Sequence, residues 1–208
     1  MSDMTPERRA ALDRSLQEVQ AITAKRPYAD AETAMEHILN DIFPSFAWDE
    51  DSSRRTAERF VAYLREYQPV EEAPFNFTTF PSDVNQMIVV KDIEFASVCK
   101  HHLLPFQGVC HVGYVPGELM VGVSKIPRLV NWRAARPQTQ ELLTAEIASF
   151  MKQNLKAMGV AVIMDAVHTC MCARGVRKVG ASMRTSEMRG IFLTADAARS
   201  EFLRLAGL

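Results

Sequence analysis

The chain has 208 residues, 48% of them hydrophobic and 24% charged, with a formal net charge of -1. Such a composition suits one globular domain with a helical extension, and the near-zero charge offers no general attraction to nucleic acid or to anionic membrane. The charged, polar N-terminus (Ser2 to Arg14) does not read as a secretory signal, no apolar run approaches the roughly 18 residues of a membrane helix, and the four cysteines are expected as reduced thiols in the cytoplasm.

Residues 6–26 are expected to form a helix: Thr5 can cap it, Pro6 suits its first turn, and Leu12, Leu16, Val19 and Ile22 recur at helical spacing before Pro27. A second helix starts near Asp30 and ends at about Phe43, before Pro44. A third follows Ser52 or Ser53 and carries Phe60, Val61 and Leu64. The character changes at Phe75, which divides an N-terminal helical region, 1–74, from a domain spanning 75–208.

Met87 to Val90 and Ile93 to Val98 read as strand, with Lys91-Asp92 as a break or bulge. Phe106 to Tyr114 is the next strand, and Pro116-Gly117 predicts a hairpin turn into Leu119 to Val123. Ser124 can cap a short helix, with Pro127 tolerated in its first turn. A long helix is expected from Pro137 to Met158, a β-branched strand from Val160 to Cys172, a last strand from Ser182 to Phe192, and a closing helix from Ala195 to Leu205. Helices first, then strands interleaved with helices, predict an α+β fold.

Four of the five histidines and all four cysteines lie between residues 99 and 172. Thiolate and imidazole together suit zinc, and Cys99 and His102 are spaced so that one turn can offer both, with Cys170 arriving from a distant strand. Three protein ligands leave a fourth corner for water, the arrangement of a hydrolytic centre. Alternation along the strand would put His168, Cys170 and Cys172 on one face. A rival reading closes a structural site with Cys172, but residues two apart on a strand stand about 6.6 Å apart with parallel side chains, which disfavours shared coordination. His168 and His101 are the candidate acid/base groups, because imidazole titrates near neutrality. His111 and His37 are expected to be structural, and Cys110 to belong to the core.

A second constellation is basic. Lys125 and Arg128 sit one turn apart at the start of the helix after Ser124, and Arg174 lies four residues beyond Cys170; together they suit a polyphosphate. Gln140-Glu141 can offer a carboxylate to a donor-rich base edge such as that of guanine.

Taken together, these residues resemble a known family. Cys99-x-His101-His102-x-x-Pro105-Phe106, Gly122-Val123-Ser124-Lys125-Ile126-x-Arg128, Arg136-Pro137-Gln138-x-Gln140-Glu141 and His168-x-Cys170-x-x-Ala173-Arg174-Gly175 occur in the order found in zinc-dependent GTP cyclohydrolase I, from about Phe80 to the C-terminus. The resemblance implies the tunnelling T-fold, a toroidal homodecamer with active sites shared between subunits, and conversion of GTP and water to formate and 7,8-dihydroneopterin triphosphate. It implies Zn2+ on Cys99, His102 and Cys170, attack of water on the purine C8, and proton transfer by His168 with help from His101. It further implies guanine anchoring by Glu141 and Gln140, a ribose contact from Ser124, and triphosphate binding by Lys125, Arg128 and Arg174. Two departures stand out: Lys100 replaces an acidic residue beside the zinc cysteine, and Ala62 stands where the family has a lysine, with Arg59 and Arg65 the nearest cations. Two other readings stay open, a paralogue acting on another purine nucleotide and a non-catalytic purine- or pterin-binding oligomer.

Overall fold

The computed structural model describes residues 28–44 and 51–208, so the helix expected over 6–26 lies outside the described residues. The chain divides after Arg65 into two compact units. In the first, helices α1 (Ala31–Ile42) and α2 (Ser52–Arg65) pack on each other. Asp30 caps α1 by accepting the Thr33 N–H at 2.7 Å. Ser53, Ala57 and Val61, spaced at helical period, form the buried stripe of α2. Arg65 is ion-paired with Glu32, so it is committed within this unit, whereas Arg59 is exposed.

The second unit is α+β. Its main sheet contains β2 (Ile88–Cys99), β3 (Pro105–Val115), β5 (Pro137–Gln138), β6 (Gly159–His168) and β7 (Met183–Gly190), in the order β5-β2-β3-β6-β7. All neighbours run antiparallel except β5, which bridges in parallel to the end of β2. At Lys91-Asp92 the register slips between Val90 and Ile93, and Asp92 takes a left-handed φ of 57°. A small separate sheet pairs β1 (Thr79–Pro81) with β4 (Leu119–Val121). The hairpin expected at Pro116-Gly117 therefore does not form. Both edges of β3 are already taken by β2 and β6, and β4 turns away to β1.

Further boundaries differ from the sequence reading; the last strand, expected to reach Phe192, ends at Gly190 because Ile191–Thr194 form a helical turn. Helix α4 spans Gln140–Leu155, starting after Pro137, because Pro137 and Gln138 are engaged with β2 and Thr139 caps the helix by accepting the Leu142 N–H at 3.3 Å. Helix α3 (Lys125–Ala134) follows Ser124, but Ser124 already has helical backbone angles and its side chain makes no capping bond. Strand β6 ends at His168, and Thr169–Cys172 form a single helical turn, α5, so His168, Cys170 and Cys172 do not share a strand face. The Thr169 hydroxyl donates to the Pro105 carbonyl at 2.6 Å and anchors that turn to the start of β3. The chain closes with α6 (Ile191–Thr194) and α7 (Asp196–Ala206).

The pleat of β6 sorts the core. Val160, Val162 and Met164 join Ile126, Leu129, Leu143, Ile147 and Met151 from α3 and α4. Ala161 and Ile163 point the other way, to Phe192, Phe202 and Ala206. Burial on both faces explains why this stretch is almost wholly apolar. Phe202 lies so close over Gly113 that a Cβ there would come within 2.5 Å of its ring. Cys110 and His111 are buried, as expected of structural residues. His111 Nδ1 accepts the Asp92 N–H at 3.3 Å, and burial, partly opposed by Asp92, holds its pKa below the ordinary histidine value.

Candidate active site

The site forms where β2, β6 and the start of α4 meet. Cys99 ends β2, and the chain folds back at once: Leu103, with a φ of 54°, donates its N–H to the Cys99 carbonyl at 2.8 Å, while Cys99 N–H reaches Leu104 O at 2.9 Å. The tight turn brings His102 Nδ1 to 3.6 Å from Cys99 Sγ. His101 Nδ1 lies 3.9 Å from the same sulfur. Turn α5 then delivers Cys170, and donor atoms of Cys99, His102 and Cys170 all fall within 4.8 Å of one another.

This donor set fits a tetrahedral zinc. Bonds of about 2.3 Å to sulfur and about 2.0 Å to nitrogen separate the two atoms by roughly 3.5 Å, comparable with the Cys99–His102 spacing. Two thiols and one imidazole also match the ion's preference for soft and borderline ligands. Burial, and after it the neighbouring Cys99 thiol, raises the pKa of Cys170, a tendency that a divalent cation between the two sulfurs would reverse. Cys172 stands apart from this group, its thiol donating to the Lys178 carbonyl at 3.4 Å.

His168 sits at the join of β6 and α5, opposite Phe106 in the sheet register. Its ring stacks on Phe106 with centroids 4.6 Å apart and planes within 2°. Its Nε2 lies 2.8 Å from Gln140 Oε1. Burial lowers the His168 pKa, and the charge of Glu141 pulls the other way.

Gln140 is where the structure departs most from the sequence expectation. The side chain is completely buried, and its amide is spent on the protein: Nε2 donates to Met164 O, Met183 O and Thr185 Oγ1 at 3.0–3.1 Å, and Oε1 faces His168. The side-chain amide is thus engaged within the protein. Sequence reading passed over the signal that foretells this. Gln140 shares the α4 stripe of Leu143, Thr144, Ile147 and Met151, whereas Glu141 falls on the exposed face.

The remaining candidates sit on the rim. Glu141 is exposed in the first turn of α4 and near enough to influence His168. Arg174, exposed just after α5, is near enough to pull the Cys170 thiol down. Ser124, Lys125 and Arg128 lie at the start of α3, and among the described residues no hydrogen bond or ion pair joins their side chains to the Cys-His-Cys group. Lys100 points its side chain to solvent while its N–H donates to Gln138 O at 3.1 Å. The sequence reading assigned no role to Phe106, Thr144 or Thr185, which hold His168 and Gln140 in place.

No described helix is long and apolar enough to cross a membrane. Comparison with known proteins adds several relatives, among them two named GTP cyclohydrolase 1. One from Sulfurihydrogenibium sp. is 46% identical over 154 residues, covering 73% of this chain and 81% of the relative. One from Methylococcus capsulatus is 43% identical over 157 residues, 76% and 85% of the two chains. One from Pseudomonas aeruginosa, named GTP cyclohydrolase 1 2, is 45% identical over 155 residues, 74% and 86%. Among solved structures, the archaeosine synthase QueF-Like overlaps 50% of this chain and 93% of its own at 15% identity and a TM-score of 0.42, too distant to argue from. The family model for GTP cyclohydrolase I matches residues 31–207, and the chain belongs to the GTP cyclohydrolase I family.

Proposed function

We propose that the protein is a GTP cyclohydrolase I, converting GTP and water to formate and 7,8-dihydroneopterin triphosphate. The observation that carries this reading is the convergence of Cys99, His102 and Cys170 beside His168, in a chain of this family. Cys99, His102 and Cys170 would hold Zn2+, which when bound supplies Lewis acidity that brings the pKa of a water toward neutrality.

The chain's own residues then divide the remaining work. Glu141, anionic and exposed, would accept from the N1–H and N2–H₂ donors of guanine and so orient the imidazole part of the base. Lys125, Arg128 and Arg174 would neutralise the triphosphate, with Ser124 as a hydrogen-bond partner for the ribose. His168, partly shielded from solvent, would accept a proton as water adds at C8 and return it to the departing ring nitrogen, with His101 assisting. The region 75–208 would carry this chemistry, and the reading extends to a cytoplasmic homodecamer whose neighbouring subunits share each site.

The test is to incubate purified, metal-assayed protein with GTP and follow formate together with the ultraviolet spectrum of a dihydropterin. Formate and pterin are expected in equal amounts, both abolished by a chelator and restored by zinc. Formate without pterin would identify a paralogue that opens the ring and stops. Bound metal without turnover would replace the enzymatic reading with a binding role.

A further inference from the structure

The hydrogen-bond network behind His168 contains enough one-way donors and acceptors to fix every proton in it. The Thr144 hydroxyl lies 2.7 Å from Gln140 O, a carbonyl, so Thr144 must donate there. Its single hydrogen is thereby used. At the 2.7 Å contact between Thr144 and Thr185, Thr185 must therefore be the donor. Thr185 then has only lone pairs for Gln140. Met164 O and Met183 O, the other two neighbours at that end of the amide, are carbonyls and can only accept. Three acceptors around one end of the Gln140 amide require the NH₂ group there, independently of how the amide was first oriented. The oxygen consequently faces His168.

We infer that Gln140 is a positioning residue that sets the tautomer of His168, holding a hydrogen on Nε2 and leaving Nδ1 as the nitrogen that exchanges protons with the substrate. At 2.8 Å, Gln140 Oε1 can only accept, so His168 Nε2 must donate. Nδ1 makes no hydrogen bond to the protein among the described residues and stays available. The parallel stack on Phe106 holds the ring plane, so the Nε2–H direction and the Nδ1 lone pair are fixed together. Uptake of a proton from the attacking water at Nδ1 gives an imidazolium whose Nε2–H still donates to Gln140. The same proton then leaves from Nδ1 to the departing ring nitrogen, and His168 returns to its starting state. A ring free to choose its tautomer would spend part of its time with Nδ1 protonated and unable to accept.

This inference rests on the cyclohydrolase reading for its chemistry, but its structural core is testable without turnover. The full-length protein, labelled with 15N at histidine, would be examined by solid-state nuclear magnetic resonance, with the His168 signals identified by their loss in His168→Asn. Hydrogen-bearing Nε2 and bare Nδ1 are expected in the neutral ring; hydrogen on Nδ1 would overturn the inference even if the enzyme converts GTP. The second arm is steady-state kinetics of Gln140→Met and Gln140→Glu with bound metal measured alongside. Gln140→Met is expected to lower kcat by roughly 10²-fold, as loss of a positioned acid/base would, with KM for GTP nearly unchanged and metal retained. Gln140→Glu keeps an acceptor for Nε2–H but, unless protonated, sets its second oxygen against the Met164 and Met183 carbonyls, so only a small part of kcat is expected to return. A raised KM at unchanged kcat in Gln140→Met would instead make the residue a GTP contact. If Gln140→Met fails to fold, the wild-type spectrum still decides the tautomer. Absence of GTP turnover in the wild type, with the expected tautomer present, would count against the cyclohydrolase reading alone.

Discussion

The two ends of β6 are built from different materials. From Val160 to Met164 both faces are buried in side chains that offer only shape, under α3 and α4 on one side and α7 on the other. Four residues later the strand gives way to a helical turn, and what fixes each atom there is directional: the Gln140 amide, two threonine hydroxyls, a stack on Phe106 and converging metal donors. The first end tolerates conservative apolar exchange at modest cost, because packing is additive over many small contacts. The second has few interactions, each with a set direction, so a single lost acceptor can leave a reactive group misaimed. Stability and chemistry should accordingly come apart under mutation.

The largest effect is expected at the chemical end. His168→Ala should lower kcat by about 10²–10⁴-fold, or roughly 3–5 kcal/mol of barrier, with metal content and denaturant midpoint close to wild type. Retained turnover would remove His168 from the mechanism. Phe202→Ala tests the packed end. It should cost about 3–5 kcal/mol of stability, read as a fall in denaturant midpoint, while kcat of the folded protein stays near wild type. A large fall in kcat at constant midpoint would show that the two ends are not separate.

A pH experiment sharpens the comparison at a buried titratable residue away from the metal donors. His111 has its folded pKa depressed by burial, with Lys91 and Arg184 acting in the same direction and Asp92 and Asp165 against. The unfolded chain therefore binds a proton first. His111 costs no stability above its ordinary pKa near 6.5, and stability falls as pH drops through that value toward the folded pKa. Denaturant midpoints between pH 7.5 and 5.5, chosen to bracket roughly that value, should fall more steeply in wild type than in His111→Gln; equal slopes would exclude His111 as the cause. The smallest effect is expected from Cys172→Ala. Among the described residues its thiol bonds only to carbonyls of the loop that follows, so metal content and kcat should remain near wild type. Loss of the metal would bring back a closed, four-ligand site.

The packed end was the more legible of the two in the sequence. Periodicity finds α4 and the β-branched run of β6 because burial repeats along the chain, and it finds the bulge at Lys91-Asp92 because the pattern breaks there. The residues that meet at Cys99 were also readable, since ligand chemistry is visible in residue type and spacing. What escaped was local and short. A four-residue helical turn at Thr169–Cys172 is too brief to impose a period, so alternation was carried through it. Pairing of β4 with β1 depends on which strand edges are already occupied, a fact of the whole sheet. Gln140 and Glu141 read as a pair, although neighbours on a helix point about 100° apart. The periodicity that located α4 also separates their roles.

The two-residue strand β5 has a further consequence. Through Val98↔Pro137 and Cys99↔Gln138 it fastens the chain beside the metal-donor turn, and two residues later the same chain presents Gln140 to His168. That short stretch works as a ruler between two groups that must act on one substrate. One residue inserted between Gln138 and Gln140 would leave Cys99 in register yet turn the amide away from His168, or keep the amide and pull the bridge apart. Variation in length should therefore be tolerated in the exposed segment 176–180 and refused here, so that between Gln138 and Gln140 the spacing is constrained together with the identity of Gln140.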